Sequence, residues 1–248
     1  MILITGASSG IGEAVARRFA QTDKELILIA RRAEKLEKLQ QELSKPNRKI
    51  HVFALDVREG EKIREWAKEN ETLLQKVNVL VNNAGLARGF VPFQESTPEQ
   101  WKEMIDTNLT GVLNLTHVLL PHFLKNNDGH VLNLGSVAGR WAYPKGNIYC
   151  ATKSAIHSFS ENLRLDLLGK NIRVTEISPG LVETGFSEVR FDGDKEKAKK
   201  VYQGIQALSA EDIAEAVFWS ASVPRHMNVQ EMVLYPVAQA SPTQVHRH

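Results

Sequence analysis

The sequence predicts a doubly wound α/β fold, a seven-stranded parallel sheet with helices on both faces. Short β-rich apolar runs alternate with longer segments of helical period. Several of those runs are apolar nearly throughout, as strands covered on both faces must be. No internal repeat or low-complexity linker divides the chain, so the 248 residues are expected to share one core, a single domain spanning 1–248.

The elements follow in order. "ILIT" (2–5) reads as the first strand, breaks into glycines, and leads to an amphipathic helix near 11–21. "ELILIA" (25–30) precedes a helix near 33–43, and "IHVFAL" (50–55) one near 60–74. "VNVLVN" (77–82) leads to a long helix near 98–124, and "HVLNLG" (130–135) to one near 147–168. "IRVTEIS" (172–178) precedes a helix near 210–221, and "QEMVLY" (230–235) closes the sheet. Right-handed crossovers then put ligands outside the carboxyl ends of the strands. The connection 185–208 is longer than the others. Its "DKEKAKK" reads as a solvated helix face or turn, and its length suits a lid over a substrate.

Composition excludes several classes. Lys and Arg number 31 against 29 Asp and Glu, without a long basic run, so binding to nucleic acid is not expected. Cys150 is the single cysteine, which rules out an intrachain disulfide and fits a reducing compartment. No apolar stretch is long enough for a bilayer, and "MILIT" opens the chain without a charged leader, so a cytoplasmic protein without a membrane partner is expected.

"TGASSGIG" (5–12) admits three readings. Gly6-Ala7-Ser8-Ser9-Gly10 matches the G-x-S-x-G nucleophile elbow. That motif needs an earlier strand-to-helix loop, and four residues before Thr5 leave no room for one. A P-loop fails because no Lys-Ser or Lys-Thr pair follows at the required offset. T-G-x-x-x-G-x-G remains: a turn whose glycines allow close approach to a pyrophosphate at a helix N-terminus. The cluster alone fits a plain strand-to-helix turn as well.

The end of the second strand narrows the choice. A unit reading NAD carries an acidic residue about twenty residues past the glycines. Here Ala30 is followed by Arg31 and Arg32, guanidiniums suited to a 2′-phosphate, which favours NADP. Further on, Tyr149 and Lys153 lie four apart on one helix face. An ammonium near a phenol favours the phenolate and makes tyrosine a usable acid/base. Ser136 follows a strand, where its hydroxyl could donate to a substrate oxygen. Asn108 falls inside a helix, and "NNAG" (82–85) and "SPGLVET" (178–184) end strands on the cofactor side.

Together "TGASSGIG", "DV" (56–57), "NNAG", Asn108, Ser136, Tyr149, Lys153 and "PG" (179–180) resemble the short-chain dehydrogenase/reductase family over essentially the whole chain. The resemblance implies a Rossmann-type fold and a set of roles. Tyr149 is the acid/base, Ser136 orients the substrate oxygen, Lys153 binds the nicotinamide ribose and lowers the tyrosine pKa, and Asn108 holds a relay water. It places Gly6, Ser8, Ser9, Gly10, Ile11 and Gly12, with Arg31 and Arg32, on the cofactor's phosphates. Asp56 and Val57 would meet adenine, and Asn83, Ala84 and Gly85 would line the cofactor. Pro179, Gly180, Val182 and Thr184 would sit beside the nicotinamide, the last two holding its carboxamide.

Within the family, "NNAGLARG", "IYCATK", "PGLVETGFSEVRFDGDKEKAKKVYQG", "PRHMN" and "YPVAQA" resemble the NADP-dependent 3-hydroxy acid dehydrogenases. That implies serine, L-allo-threonine and 3-hydroxypropionate/malonic semialdehyde as substrate types, and a homotetramer. A carboxylate substrate wants a cation. Arg88, Arg140, Lys145 and Arg190 are candidates, and Arg190 is the one expected to meet it. Two other readings are a general NADPH-dependent carbonyl or 3-ketoacyl reductase and a non-catalytic NADPH sensor. The 185–208 sequence argues against the first, and the intact Ser136, Tyr149 and Lys153 against the second.

No metal site is expected: His117 and His122 are five apart and diverge by about 140° around a helix. Cys150 reads as a packed thiol rather than a nucleophile. Trp101, Trp141 and Trp219 read as packing residues, and "HRH" (246–248) as a solvated or interface tail.

Overall fold

Strand β1 (Ile2–Thr5) is buried along its whole length, and so are β2 (Leu26–Ala30), β4 (Val79–Asn82), β5 (Gly129–Leu134) and nearly all of β6 (Ile172–Pro179). Such strands must be covered twice. In the computed structural model, which describes residues 1–46 and 48–248, they are. With β3 (Ile50–Ala54) and β7 (Glu231–Leu234) they form one parallel sheet in the order β3-β2-β1-β4-β5-β6-β7.

Successive side chains of a strand point to opposite faces, and the core divides accordingly. Ile2, Ile4, Leu26, Leu28 and Val81 pack on one side against Val15 and Phe19 of α1 (Gly10–Phe19) and Ile213 and Val217 of α10 (Ala210–Ser222). Leu3, Ile27, Leu80 and Val131 pack on the other side. Their partners are α3 (Gly60–Glu69), α6 (Gly111–Asn126) and α7 (Asn147–Asp166), through Trp66, Leu119 and Leu163. The helix α2 (Ala33–Leu43) turns Leu36 and Leu39 inward beside β2. Strand order reverses between β1 and β4, so their following loops part and open a cleft at that edge.

The structure departs from the expected elements in several places. The helix expected near 60–74 is two, α3 and α4 (Glu71–Leu74), joined at Asn70. The helix expected near 98–124 is three segments: α5 (Pro98–Ile105), a π-helical turn (Asp106–Thr110) and α6. Apolar periodicity continues across this break, so only tertiary contacts reveal it. The turn drives Asn108 into the interior, 1% exposed. It also sets Gly111 where a Cβ would lie 2.6 Å from Val57.

The 185–208 connection folds as α8 (Phe186–Arg190) and α9 (Lys195–Tyr202). "DKEKAKK" is indeed a solvated face: Asp194 caps α9 by accepting from the Lys197 N–H, and Ala198 alone of that run is buried. The "HRH" tail is docked rather than free. Arg247 donates to the carbonyls of Gln203 and Val201, and the His248 N–H to that of Gly204. Trp101 packs flat on Phe93, whereas Trp141 and Trp219 are half exposed. Among the described residues no helix is long and apolar enough to cross a membrane.

Helix α1 meets β1 and β4 through Gly12. A Cβ there would lie 2.4 Å from both the Gly6 carbonyl oxygen and the Asn83 Nδ2. Gly12→Ala is therefore expected to destabilise the fold by about 1–3 kcal/mol through overpacking. Thermal unfolding should show a midpoint lower by several degrees, and an unchanged midpoint would contradict the contact.

Candidate active site

The cleft above β1 and β4 encloses about 1120 Å³ and is lined from the glycine turn to the C-terminal tail. Its floor begins at Thr5, whose hydroxyl accepts from the Asn83 and Ala84 N–H groups, each at 3.0 Å. The Asn83 amide donates in return to the Thr5 carbonyl at 2.9 Å. "NNAG" thus holds two strand ends together while Asn83, Ala84 and Gly85 face the cleft. Gly6 and Gly10 adopt left-handed backbone, φ 66° and 57°, which lets the chain fold back over β1. Ser9 precedes α1 without a side-chain cap, so the first N–H groups of the helix face the cleft unpaired by any cap.

At this end the cleft is cationic. Arg32 donates to Ser8 Oγ at 2.9 Å and Ser9 Oγ at 2.7 Å, which locks it against the glycine turn. Arg31 lies beside it, and Lys35, on the first turn of α2, joins them on the wall. Asp56 and Val57 line the same region. Burial alone would raise the Asp56 carboxyl, but Arg58, at 2.6 Å, holds it below the usual range. Ile11 is on the wall as well, while Gly12 is packed behind it.

The sequence reading brought Ser136, Tyr149 and Lys153 together, and the structure does too. All three are buried and line the cleft. Ser136 follows β5 in extended backbone, and its Oγ accepts from the Ala138 N–H at 3.1 Å. Lys153 Nζ donates to the Leu134 carbonyl at 2.7 Å. Burial lowers the Lys153 ammonium to about 8, with the Glu176 charge opposing. Burial pushes the Tyr149 phenol up, and nearby Tyr143 adds to this; the Ser136 hydroxyl and Arg190 oppose it. The expected lowering by Lys153 is not found in this balance. The ammonium sits 6.0 Å from the ring centre and is engaged by Leu134.

Asn108 lies behind this group rather than in it. Its Oδ1 accepts from the Leu86 N–H at 2.8 Å, and its Nδ2 donates to the Leu86 carbonyl at 2.8 Å and to Thr152 Oγ1 at 3.1 Å. Both amide protons are engaged. The side chain ties the 85–86 loop to α7, and its amide oxygen keeps a second lone pair.

The 185–208 segment roofs the other end. Arg88 donates to the Val189 carbonyl and to Asp192 of this segment while paired with Glu103 at 2.6 Å. The Gly89 N–H donates to the Arg190 carbonyl at 2.9 Å. A Cβ on Gly10 would lie 3.5 Å from Thr184, and Val182, Pro179 and Gly180 complete the wall.

Arg190 donates from Nε to the Gly89 carbonyl and from Nη1 to the Tyr143 hydroxyl, both at 3.1 Å. Its guanidinium carbon lies 5.7 Å from the Tyr149 ring centre. Among the described residues its Nη2 has no hydrogen-bond partner. Of the other cations weighed, Arg88 is engaged as above and Arg140 with Glu231, while Lys145 and Arg190 both face the Phe90 ring, at 5.8 and 4.7 Å from its centre.

Sequence reasoning missed Lys35, Tyr143 and Phe186. Phe186 meets the Tyr149 ring edge-on at 5.6 Å. Lys35 follows the Arg pair by one helical turn and was legible as a third charge on that face. Tyr143 belongs to no motif, Phe186 only to the 179–204 stretch without a role of its own there, and both reach the cleft through packing.

Residues 1–195 match the sequence pattern of the family described as short chain dehydrogenase. This chain belongs to that family. It is 45% identical, over 97% of its length and 96% of the other's, to the NADP-dependent 3-hydroxy acid dehydrogenase YdfG of Salmonella typhi. It is 43% identical to sulfoacetaldehyde reductase 2 of Chromohalobacter salexigens, over 97% of its length and 95% of that protein's. Among solved structures, the closed form of serine dehydrogenase complexed with NADP+ superposes with a TM-score of 0.92 at 44% identity. That match covers 100% of this chain and 99% of the other. The family accounts for the Ser136, Tyr149 and Lys153 grouping and for the glycine turn together.

Proposed function

We propose that the protein is an NADP-dependent oxidoreductase acting on the hydroxyl-bearing carbon of small 3-hydroxy acids. Serine, L-allo-threonine and the 3-hydroxypropionate/malonic semialdehyde pair are the substrate types. The observation that carries this is Arg190: it is pinned beside the Tyr149 ring with one nitrogen unengaged, one side chain from the reacting group. An acid/base and an anion receptor that close together suit a molecule of a few atoms with a charged end. The named activities of the relatives agree, since a 3-hydroxy acid and sulfoacetaldehyde are both small and anionic at neutral pH.

The cofactor end fits NADP. Arg31, Arg32 and Lys35 gather three positive charges at the end of β2, where no acidic residue stands to read a ribose hydroxyl. The uncapped start of α1 behind Gly10 suits the pyrophosphate. Asp56 and Val57 would hold the adenine end, and Val182 and Thr184 the carboxamide. When bound, NADP supplies or takes up the hydride.

The remaining chemistry belongs to the chain. Ser136 Oγ donates to the substrate oxygen and orients it. Tyr149 gives that oxygen its proton on reduction and takes it on oxidation. The burial that raises the phenol keeps it protonated for the first direction. For the second, the buried Lys153 ammonium supplies the positive charge that steadies the tyrosine oxygen as its proton leaves. Arg190 binds the carboxylate, and the 185–208 segment acts as a lid, clasped through Arg88 and Gly89, that excludes water.

Tyr149→Phe should lose about a hundredfold to ten thousandfold in kcat while still quenching with NADPH, because general acid/base catalysis contributes on the order of 10²–10⁴. Substantial turnover by that variant would refute the assignment. Removing both Arg31 and Arg32 should weaken NADP at least tenfold more than NAD, and equal loss for the two would mean that the pair does not read the 2′-phosphate. Arg190→Met should raise KM for serine, 3-hydroxypropionate and sulfoacetaldehyde by at least tenfold yet spare an uncharged secondary alcohol. An unchanged KM for the acids would leave the substrate class without support.

A further inference from the structure

Behind the reacting face of α7 stands a charged cluster that the proposed reaction has not yet used. Tyr149, Lys153, His157 and Glu161 follow one another at four-residue intervals, so they form a line along one side of the helix. Opposite that line, on β6, Glu176 is 0% exposed. Its Oε2 accepts from His157 Nδ1 at 2.7 Å, and its Oε1 from Ser178 Oγ at 2.8 Å. A carboxylate removed from water this completely requires compensation by charge and hydrogen bonds. His157 and Ser178 supply the hydrogen bonds.

The strand register explains why the carboxylate matters to the site. Glu176 is paired across the sheet with Asn133, and its side chain fills the space above Gly135. A Cβ at Gly135 would lie 2.1 Å from Glu176 Oε1. Gly135 joins Leu134, whose carbonyl receives the Lys153 ammonium, to Ser136. The buried anion therefore lies against Gly135, between the residue that anchors the lysine and the serine, and farther than 4.0 Å from the Lys153 ammonium. The other charges around it are accounted for. Glu231 of β7 is paired with Arg140, Glu161 lies 3.4 Å from His157 Nε2, and Arg164 of α7 donates to the Val174 and Gln230 carbonyls. Lys153 remains as the buried cation without a carboxylate of its own among the described residues.

We propose that Glu176 is a positioning residue of this reaction: its buried carboxylate is the counter-anion of Lys153 and the rear support of the Gly135–Ser136 turn. The inference rests on the roles given above to Tyr149 and Lys153. Burial pulls the Lys153 ammonium down, and the Glu176 charge is what opposes that pull. Without it the lysine gives up its proton at lower pH, and the site loses its cation sooner as the solution is made alkaline.

The test is the pH dependence of kcat/KM for reduction in the wild type, Glu176→Gln and Glu176→Asp. In the wild type, activity should fall as pH rises through the Lys153 value of about 8. In Glu176→Gln that fall should begin about one pH unit lower, and Glu176→Asp, which keeps the charge, should restore most of the shift. A merely structural role would lower the plateau and the melting midpoint without moving the alkaline fall. Coincident profiles for Glu176→Gln and the wild type would overturn the proposal. If Glu176→Gln does not fold, Glu176→Asp alone gives a second reading: its shorter side chain draws the charge back from the lysine, so the alkaline fall should begin a few tenths of a pH unit below the wild type, and an unmoved fall would overturn the inference equally. Tyr149→Phe, run alongside, separates failure of this proposal from failure of the reaction itself.

Discussion

The hydroxyl of Thr5 holds together the point where the sheet divides. It receives two N–H groups from the β4 exit, while the Asn83 amide returns a hydrogen bond to the β1 exit. Parallel strands ordered outward from β1 and β4 send their following loops in opposite directions. With no tie across that gap, the glycine turn and the 83–85 loop would be free to shift relative to each other. Every later feature takes its position from this seam: the uncapped α1, the Asn108 clamp on Leu86, and through Thr152 the helix that carries Tyr149 and Lys153.

Behind the seam runs a buried polar chain of the same character. Asn82 donates to Thr116 and to Asn133, and Asn133 donates to Ser160, which joins β4 and β5 to α6 and α7. Neutral hydrogen bonds of this kind are worth little individually but are costly to leave unmade, so they specify one relative placement of helix and sheet. The reacting groups are thus set on rigid elements. Arg190 and Phe186, at the other end of the cleft, come instead from a short helix held by a few contacts. That division suits a site whose chemistry is fixed and whose access must change.

Much of this was legible in the sequence because it is local. Uninterrupted apolar runs report strands covered on both sides, and all seven lie where they were expected to within two residues. The glycine turn and the Tyr149–Lys153 interval likewise state their own geometry. What could not be read depends on contacts distant in sequence. The π-helical turn leaves no mark, since Asn108 is driven inward by Leu86, 22 positions away. The net upward push on Tyr149 comes from enclosure, and enclosure is a property of the folded chain. Arg190 stood out from Arg88 by its place in the 185–208 segment, but the partners that capture Arg88 come only from the fold.

The π-helical turn carries a length consequence of its own. Between α5 and α6 the chain holds a residue more than an unbroken α-helix of the same reach would use, and that surplus turns Asn108 inward. Deleting any one residue from this turn would let the helix regularise. The flanking helices would keep their relative phase, because the turn already absorbs the surplus, but Asn108 would be withdrawn from Leu86 and Thr152. In this segment residue count matters alongside side-chain identity, because the surplus residue is what brings Asn108 to Leu86 and Thr152.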